Sequence, residues 1–144
     1  MQDYIPPKLD WVREHVELYE GSGGTEGTTL LDTGMPCIIV THTGHKSGGI
    51  RKIPLMRVAV NGNYVLIGSM GGQPQNPAWV ANLRANPNVQ IRDKTEVFDM
   101  RVREVADDEE RARLWAASVE AYPPYDDYQA KTERKIPVFI AEPR

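Results

Sequence analysis

Residues 37–69 read CIIVTHTGHKSGGIRKIPLMRVAVNGNYVLIGS and have the pattern of three β-strands joined by two turns. The apolar, β-branched run from Cys37 to His42 is typical of a buried strand. A long second strand is predicted from Arg51 to Val60, and a third from Tyr64 to Ser69. Asn61-Gly62 is a strong hairpin signal between them, because both central residues of a type I′ turn need positive φ. The centre of the chain is therefore β-rich.

Helices and further strands flank this centre. Asn76-Pro77 predicts a helix start, with Asn76 as the cap and Pro77 in the first turn. The acidic residues 107–110 favour the first turn of another helix, which we expect to reach Tyr122. The other predicted elements are a helix at about 8–19, the end of the second helix near Leu83, and strands at 89–92, 95–105 and 136–141. We predict a mainly β (α+β) fold, a small barrel with helices covering its openings.

The first helix is short and marginal on its own. Its predicted apolar stripe consists of Leu9, Val12, Val16 and Tyr19. We expect residues 1–24 to form an N-terminal helix and loop that acts as a movable lid. Residues 25–144 are then the barrel domain.

The composition excludes several classes of protein. The chain has 144 residues, of which 40% are hydrophobic and 26% charged, which is the balance of one ordinary globular domain. The net charge of -3 gives no reason to expect a nucleic-acid partner. No apolar run approaches the roughly 20 residues that span a bilayer, and no secretory signal is visible, so we expect a cytoplasmic protein.

Neither a metal site nor a cysteine nucleophile is predicted. His42 and His45 have no cysteine or acidic ligand at metal spacing. Cys37 is the single cysteine, and its apolar neighbours indicate a buried packing residue.

The glycine turn (residues 44–51) is the first candidate for chemistry. Its amides are suited to an anion-binding nest, with Lys46, Ser47 and Arg51 adding charged or polar donors. A phosphate-loop NTPase is excluded, because His45 precedes Lys46 where that motif needs glycine, and a strand follows where it needs a helix. A solvated hairpin turn explains the same residues equally well.

Two further segments are candidates for chemistry. The first is the Ser69 loop (residues 68–76), which follows a strand that ends in a small hydroxyl residue and leads to the start of a helix. Backbone amides at a helix start favour anionic groups. The alternative interpretation is a connection that only caps the helix. The tyrosine cluster (Tyr122, Tyr125 and Tyr128) places three phenols within seven residues. Phenols suit contact with an aromatic substrate, although they also commonly cover a core.

Taken in order, these segments resemble the deazaflavin-dependent nitroreductase family of actinobacteria, F420-dependent reductases within the flavin/deazaflavin oxidoreductase group. The resemblance covers about residues 25–143. The matching segments are 43–51, 68–72, 76–79, 82–89, 122–128 and 136–140. It implies a split β-barrel of the FMN-binding, pyridoxamine-phosphate-oxidase-like type.

The resemblance also implies roles for individual residues. Lys46, Ser47 and Arg51 hold the phosphate and acidic tail of coenzyme F420. The residues implied to contact the deazaflavin are Gly68, Ser69, Met70, Gly71, Gly72, Asn76, Pro77, Ala78 and Trp79. The implied catalytic residues around the substrate are Ser69, Tyr122, Tyr125 and Tyr128. His45 and Met70 stand where the family often has basic residues, which predicts cofactor binding that is weaker or that depends more on Lys46 and Arg51.

The implied activity is hydride transfer from reduced F420 to electron-poor acceptors. These are enones, unsaturated lactones or esters of the coumarin type, quinones and nitro-heterocycles. An FMN-dependent oxidoreductase on the same fold, and a non-catalytic deazaflavin-binding protein, are the alternatives. For assembly, the resemblance slightly favours a monomer over a homodimer.

Overall fold

The computed structural model describes residues 3–30 and 33–144. Within them the chain forms four α-helices and seven β-strands, and one 3₁₀ turn at Met70–Gly72. The elements are α1 (Asp10–Gly21), β1 (Cys37–Thr43), β2 (Ile50–Met56), β3 (Ala59–Val60), β4 (Asn63–Ile67), α2 (Ala78–Ala85), β5 (Asn88–Asp93), β6 (Glu96–Glu104), α3 (Asp108–Ala121), α4 (Pro124–Lys131) and β7 (Val138–Pro143).

The strands form one antiparallel sheet in the order β2-β1-β5-β6-β7-β4-β3. β2 and β3 lie at opposite edges of this order, yet only Arg57 and Val58 separate them in the chain. Three peptide units span at most about 11 Å, so the two edges must lie close together. Val58 O accepts a hydrogen bond from Val65 N at 2.9 Å. The sheet therefore curls on itself, which confirms the predicted split β-barrel.

Three connecting segments lie at the same end of this barrel. β1 runs into the glycine turn, and Thr41 pairs with Gln90 near the start of β5, directly after α2. Ile67 pairs with Val138, so the Ser69 loop after β4 lies beside the segment that precedes β7. We call this end, with the glycine turn, the Ser69 loop and residues 122–137, the site end. The Asn61-Gly62 turn and the β5–β6 hairpin lie at the other end.

Helix α2 closes the site end of the barrel. Trp79, Val80 and Leu83 are buried in the same apolar cluster as interior residues of the strands. The rings of Trp79 and Phe139 lie 5.8 Å apart, centre to centre. A second cluster packs α3 and α4 against β4 and β7. The barrel core therefore fixes the position of α2 and of the loops that it connects.

Helix α1 packs on the sheet through its second half. Tyr19 is fully buried; its hydroxyl donates to Cys37 O at 3.0 Å and accepts from Lys94 N at 2.7 Å. Leu9 is 61% exposed, so its predicted place on the apolar stripe is wrong. The helix begins only at Asp10, and Leu9 precedes it with an extended backbone.

One other local prediction needs correction, and one helix was not predicted. Asn76 does not cap α2; Pro77 occupies that position, and the Asn76 side chain bonds to Arg134 instead. The third helix ends at Ala121, next to the predicted Tyr122, but the further helix α4, which begins at Pro124, was not predicted. Proline in a first helical turn has its φ already set and needs no intrahelical donor, so a second helix can start there. Within residues 3–30 and 33–144, no helix has both the length and the apolar character needed to cross a membrane.

Candidate functional site

The glycine turn is held by its own backbone. Gly44 N donates to Gly49 O at 2.8 Å, and Gly48 N donates to Gly44 O at 2.9 Å. The Ser47 hydroxyl accepts from Gly49 N at 3.1 Å. Gly48 has a φ of 73°, which glycine adopts without strain. The turn is thus a tight, hydrogen-bonded loop.

Two cations of this turn have no carboxylate partner in the part of the chain that the structure describes. Among the described residues, no Asp or Glu oxygen lies within 4 Å of the charged groups of Lys46 or Arg51, whereas neighbouring Lys52 pairs with Glu20. A Cβ added at Gly44 would lie 3.1 Å from Ser47 Oγ and 3.5 Å from Arg51 Nε. The missing side chain therefore lets these two polar groups converge. Ser47 and Arg51 are thus close together, and Lys46 belongs to the same turn, a set of residues that suits an anion.

Asn82 ties the glycine turn to α2. Its Oδ1 accepts from the backbone N of His45 at 2.9 Å and from His45 Nδ1 at 2.6 Å. The side chain is only 7% exposed, although its helix neighbours on this side are apolar. Sequence reasoning gave Asn82 no role. The sequence did contain a signal for such a role, since a polar asparagine lies between Trp79 and Leu83 on a helix face that is otherwise apolar.

His42 lies at the end of β1, opposite Arg51 on β2. Its ring Nδ1 bonds to Val40 O at 3.3 Å. Burial lowers the pKa of His42 to about 4, the Arg51 charge acts in the same direction, and the bond to Val40 opposes them. The imidazole is therefore neutral at physiological pH.

The Ser69 loop makes close backbone contacts on both sides. A Cβ at Gly68 would lie 2.9 Å from a methyl group of Val80, and one at Gly72 would lie 2.8 Å from the carbonyl oxygen of Tyr128. Met70 is exposed and has a φ of 47°, an uncommon conformation for a residue with a side chain. Among the described residues, the hydroxyl of Ser69 has no hydrogen-bond partner that would compete with a ligand.

Arg134 organises this loop from the far end of the chain. Its Nη1 donates to Gly68 O at 3.0 Å and to Asn76 Oδ1 at 2.8 Å. Nη2 donates to Ser69 O at 2.7 Å, and Nε to Gln73 O at 2.8 Å. Burial lowers the pKa of the guanidinium. Sequence reasoning missed Arg134, because no local pattern relates it to residues about 60 positions earlier.

The tyrosine cluster lies beside the Ser69 loop. The hydroxyls of Tyr122 and Tyr128 are 3.1 Å apart, and Tyr125 packs edge-on against both rings. The hydrogen bond to Tyr122 is the main cause that raises the pKa of Tyr128 to about 12, and burial adds to it. Tyr125 is 5% exposed, and burial raises the pKa of its phenol. The phenols of Tyr125 and Tyr128 are therefore neutral at physiological pH.

The predicted site residues thus gather at one end of the barrel. Pro77 and Ala78 form the start of α2, directly after the loop. The side chain of Trp79 is buried in the barrel core. The N-terminal segment reaches the same end: Ile5 N donates to Ile50 O at 2.8 Å, and a Cβ at Gly49 would collide with Ile5.

This end thus brings together the cations and amides of the glycine turn, the Ser69 loop and the phenols beside it, a combination that suits an anionic group and an aromatic molecule. No group of three or more metal-ligating side chains occurs in the described part of the chain. A groove of about 480 Å³ lies elsewhere, beside Met56, Val58 and Ala117. Its arginine, Arg57, already binds Asp93 at 2.8 Å, so we place the chemistry at the site end.

Comparisons with known proteins show the family of this chain. The sequence model of the family described as F420H(2)-dependent quinone reductase matches residues 11–143. An F420H(2)-dependent quinone reductase of Mycobacterium tuberculosis, Rv1261c, is 33% identical over 132 residues, which cover 90% of this chain and 87% of the relative.

Solved structures are similar as well. The F420-H2 dependent reductase FDR-A is 48% identical, with a TM-score of 0.70 over 79% of this chain and 98% of that one. A domain-swapped dimer, also 48% identical, has a TM-score of 0.73 over 92% of this chain and 98% of that one. A Listeria innocua protein named for pyridoxamine 5′-phosphate oxidase is 10% identical, with a TM-score of 0.54, and shows the fold alone.

Proposed function

The chain belongs to the F420H(2)-dependent quinone reductase family, and from this premise we propose that it uses reduced F420 to reduce quinones and other electron-poor organic molecules. The observation that carries the proposal concerns Lys46 and Arg51, which have no carboxylate partner among the described residues. Their turn shares the site end with the Ser69 loop and the tyrosine cluster. An anionic cofactor and an aromatic acceptor would find complementary groups there.

The residues present fit F420. Its phosphate and acidic tail need cations, and Lys46 and Arg51, which have no carboxylate partner among the described residues, meet that need together with the Ser47 hydroxyl. Its flat ring system needs a firmly held loop beside it, and the glycines at 68 and 72 let the Ser69 loop pack closely against Val80 and the Tyr128 carbonyl. We propose that the Ser69 loop and the first turn of α2 hold the ring.

When bound in its reduced form, F420 supplies the hydride. Reduction of a quinone to a quinol takes two electrons and two protons, so a hydride and one proton are needed. The protein residues orient the acceptor and stabilise the charge that develops on its oxygen. The Ser69 hydroxyl and the phenols of Tyr122 and Tyr128 are suitable donors, and water or a phenol supplies the proton.

Quinones are the acceptors that the family name supports. We propose enones, coumarin-type lactones and nitro-heterocycles as further acceptors, since apolar ring contacts discriminate weakly between flat molecules. The tyrosine cluster provides contacts of that kind.

Two rival functions make different predictions. An FMN-dependent oxidoreductase on this fold would bind FMN in preference to F420. A non-catalytic deazaflavin-binding protein would bind F420 and turn over no acceptor. The similarity to a domain-swapped dimer does not favour the monomer, so we propose a homodimer, which light scattering on the purified protein would test.

The N-terminal segment gives residues 1–24 a proposed role at the site. Because Ile5 lies against Gly49, we propose that this segment acts as a lid over the glycine turn.

The decisive experiment is a fluorescence titration of the purified protein with F420, with FMN alongside. We expect saturable binding of F420 only. Anaerobic addition of menadione, a small naphthoquinone, to the protein with reduced F420 should then restore the absorbance of oxidised F420. Preference for FMN would establish the first rival, and F420 binding without turnover of any acceptor class would establish the second.

A further inference from the structure

Arg134 connects the two sides of the candidate site. Its four acceptors are distributed over the whole Ser69 loop, from Gly68 to Asn76. Three of them are backbone carbonyls and the fourth is an amide oxygen. Among the described residues, the guanidinium has no carboxylate partner. Its charge and its planar set of donors therefore serve the conformation of this loop.

The backbone that carries Arg134 is itself fastened to α4. Gln129 Nε2 donates to Arg134 O at 2.8 Å, and Gln129 Oε1 accepts from Ile136 N at 3.0 Å. α4 also carries Tyr128, whose carbonyl oxygen lies against Gly72. A short series of hydrogen bonds thus connects α4 through Arg134 to the Ser69 loop.

We propose that Arg134 is a positioning residue that holds the Ser69 loop against α4 in the one conformation able to receive the cofactor ring. Where it concerns F420, this inference rests on the proposed function. The residue acts through the loop rather than on the reacting atoms.

Lysine is the informative replacement, because it keeps the charge but offers a single ammonium in place of the planar fork. The Arg134→Lys variant cannot reach acceptors spread over nine residues at once. Arg103→Lys is the matched control, since Arg103 makes three side-chain hydrogen bonds to Glu110 and Glu142 at an exposed position on β6. Asn76→Ala is a milder second variant, which removes one acceptor and leaves the arginine in place.

The first measurement is hydrogen exchange on the cofactor-free protein. Gly72 N and Gln73 N donate within the loop, to Ser69 O at 2.9 Å and Met70 O at 3.2 Å, and report its order. We expect these amides to exchange at least about tenfold faster in Arg134→Lys, and to a smaller extent in Asn76→Ala. The amides of β5 and β6 should stay protected in both. Unchanged exchange at Gly72 and Gln73 would overturn the inference, whatever the cofactor.

The second measurement is F420 affinity, followed by turnover with menadione. Loss of one charge-assisted bond corresponds to about tenfold in affinity, so we expect the Kd for F420 to rise at least that much in Arg134→Lys. The Arg103→Lys control should match the wild type. If the wild type binds F420 and Arg134→Lys binds and turns over equally well, the positioning role is refuted. If the wild type does not bind F420, the proposed function fails, and the exchange data alone decide the role of Arg134.

Discussion

The hydroxyl oxygens of Tyr122 and Tyr128 lie 3.1 Å apart, while Tyr125 packs edge-on against both rings and is 5% exposed. The three phenols are therefore not equivalent. Two form a half-buried pair that can turn a donor toward a ligand, and the third supports them from the core.

Phenylalanine variants should separate these roles. We expect Tyr128→Phe and Tyr122→Phe to lower kcat with menadione by about tenfold, the value of one hydrogen bond to a developing oxyanion, with little change in F420 affinity. If the Tyr125 phenol also donates, Tyr125→Phe will slow turnover; an unaltered rate would assign it to packing.

The hydrogen bond between Tyr122 and Tyr128 raises the pKa of Tyr128 to about 12. Because the neutral phenol is then the working form, the wild-type rate should show no tyrosine ionisation below about pH 10.

Removal of the Lys46 charge should weaken cofactor binding. We expect Lys46→Ala to raise the Kd for F420 about tenfold or more, because one charge-assisted contact to an anionic group is lost. Lys94→Ala is the control, since Lys94 is equally exposed but lies in the β5–β6 hairpin at the other end of the barrel. Equal affinities in both variants would remove the glycine turn from the cofactor site. Thermal unfolding should be unchanged by either substitution.

Gly72 tests the packing of the Ser69 loop on α4. Gly72 and Gly62 have φ values of 80° and 83°, so alanine at either position carries a similar backbone cost of roughly 1–2 kcal/mol. Gly62 faces open space, but a Cβ at Gly72 would lie 2.8 Å from the Tyr128 carbonyl. We expect Gly72→Ala to destabilise the protein more than Gly62→Ala in urea unfolding, and only Gly72→Ala to weaken F420 binding. Similar effects of the two variants would show that the Ser69 loop can move away from α4 with no loss of stability.

The strands were predictable because their signals are local. The type I′ turn at Asn61-Gly62 and the β-branched run in β1 each depend on adjacent residues, and both appear as expected. The prediction of one long strand from Arg51 to Val60 was wrong: the chain bends at Arg57-Val58 and forms two strands, β2 and β3, at opposite edges of the sheet. Barrel closure is a property of the whole sheet, and no local pattern marks it.

The candidate site was predictable only in part. The glycine turn, the Ser69 loop and the tyrosine cluster each have a distinctive composition, and the barrel brings them to one end. The groups that hold them together, Asn82 and Arg134, bind partners 37 and about 60 residues away. Such contacts follow from strand register, which a single sequence does not specify.

His42 should make stability depend on pH. Burial lowers its folded pKa from 6.5 to about 4, so the unfolded chain takes up a proton between these values while the folded protein does not. The stabilisation by neutral His42 is therefore fully present above about pH 6.5 and is lost as the pH falls toward 4, by on the order of 2 kcal/mol at pH 4.5. In His42→Gln, whose amide can still donate to Val40 O, this contribution to the pH dependence should disappear. Urea unfolding of wild type and variant at pH 7.5 and 4.5 measures the difference directly, with His45→Gln as the exposed-histidine control. An equal loss of stability in wild type and His42→Gln would mean that folding does not lower the pKa of His42, so that the imidazole is protonated at pH 4.5 in the folded protein as well.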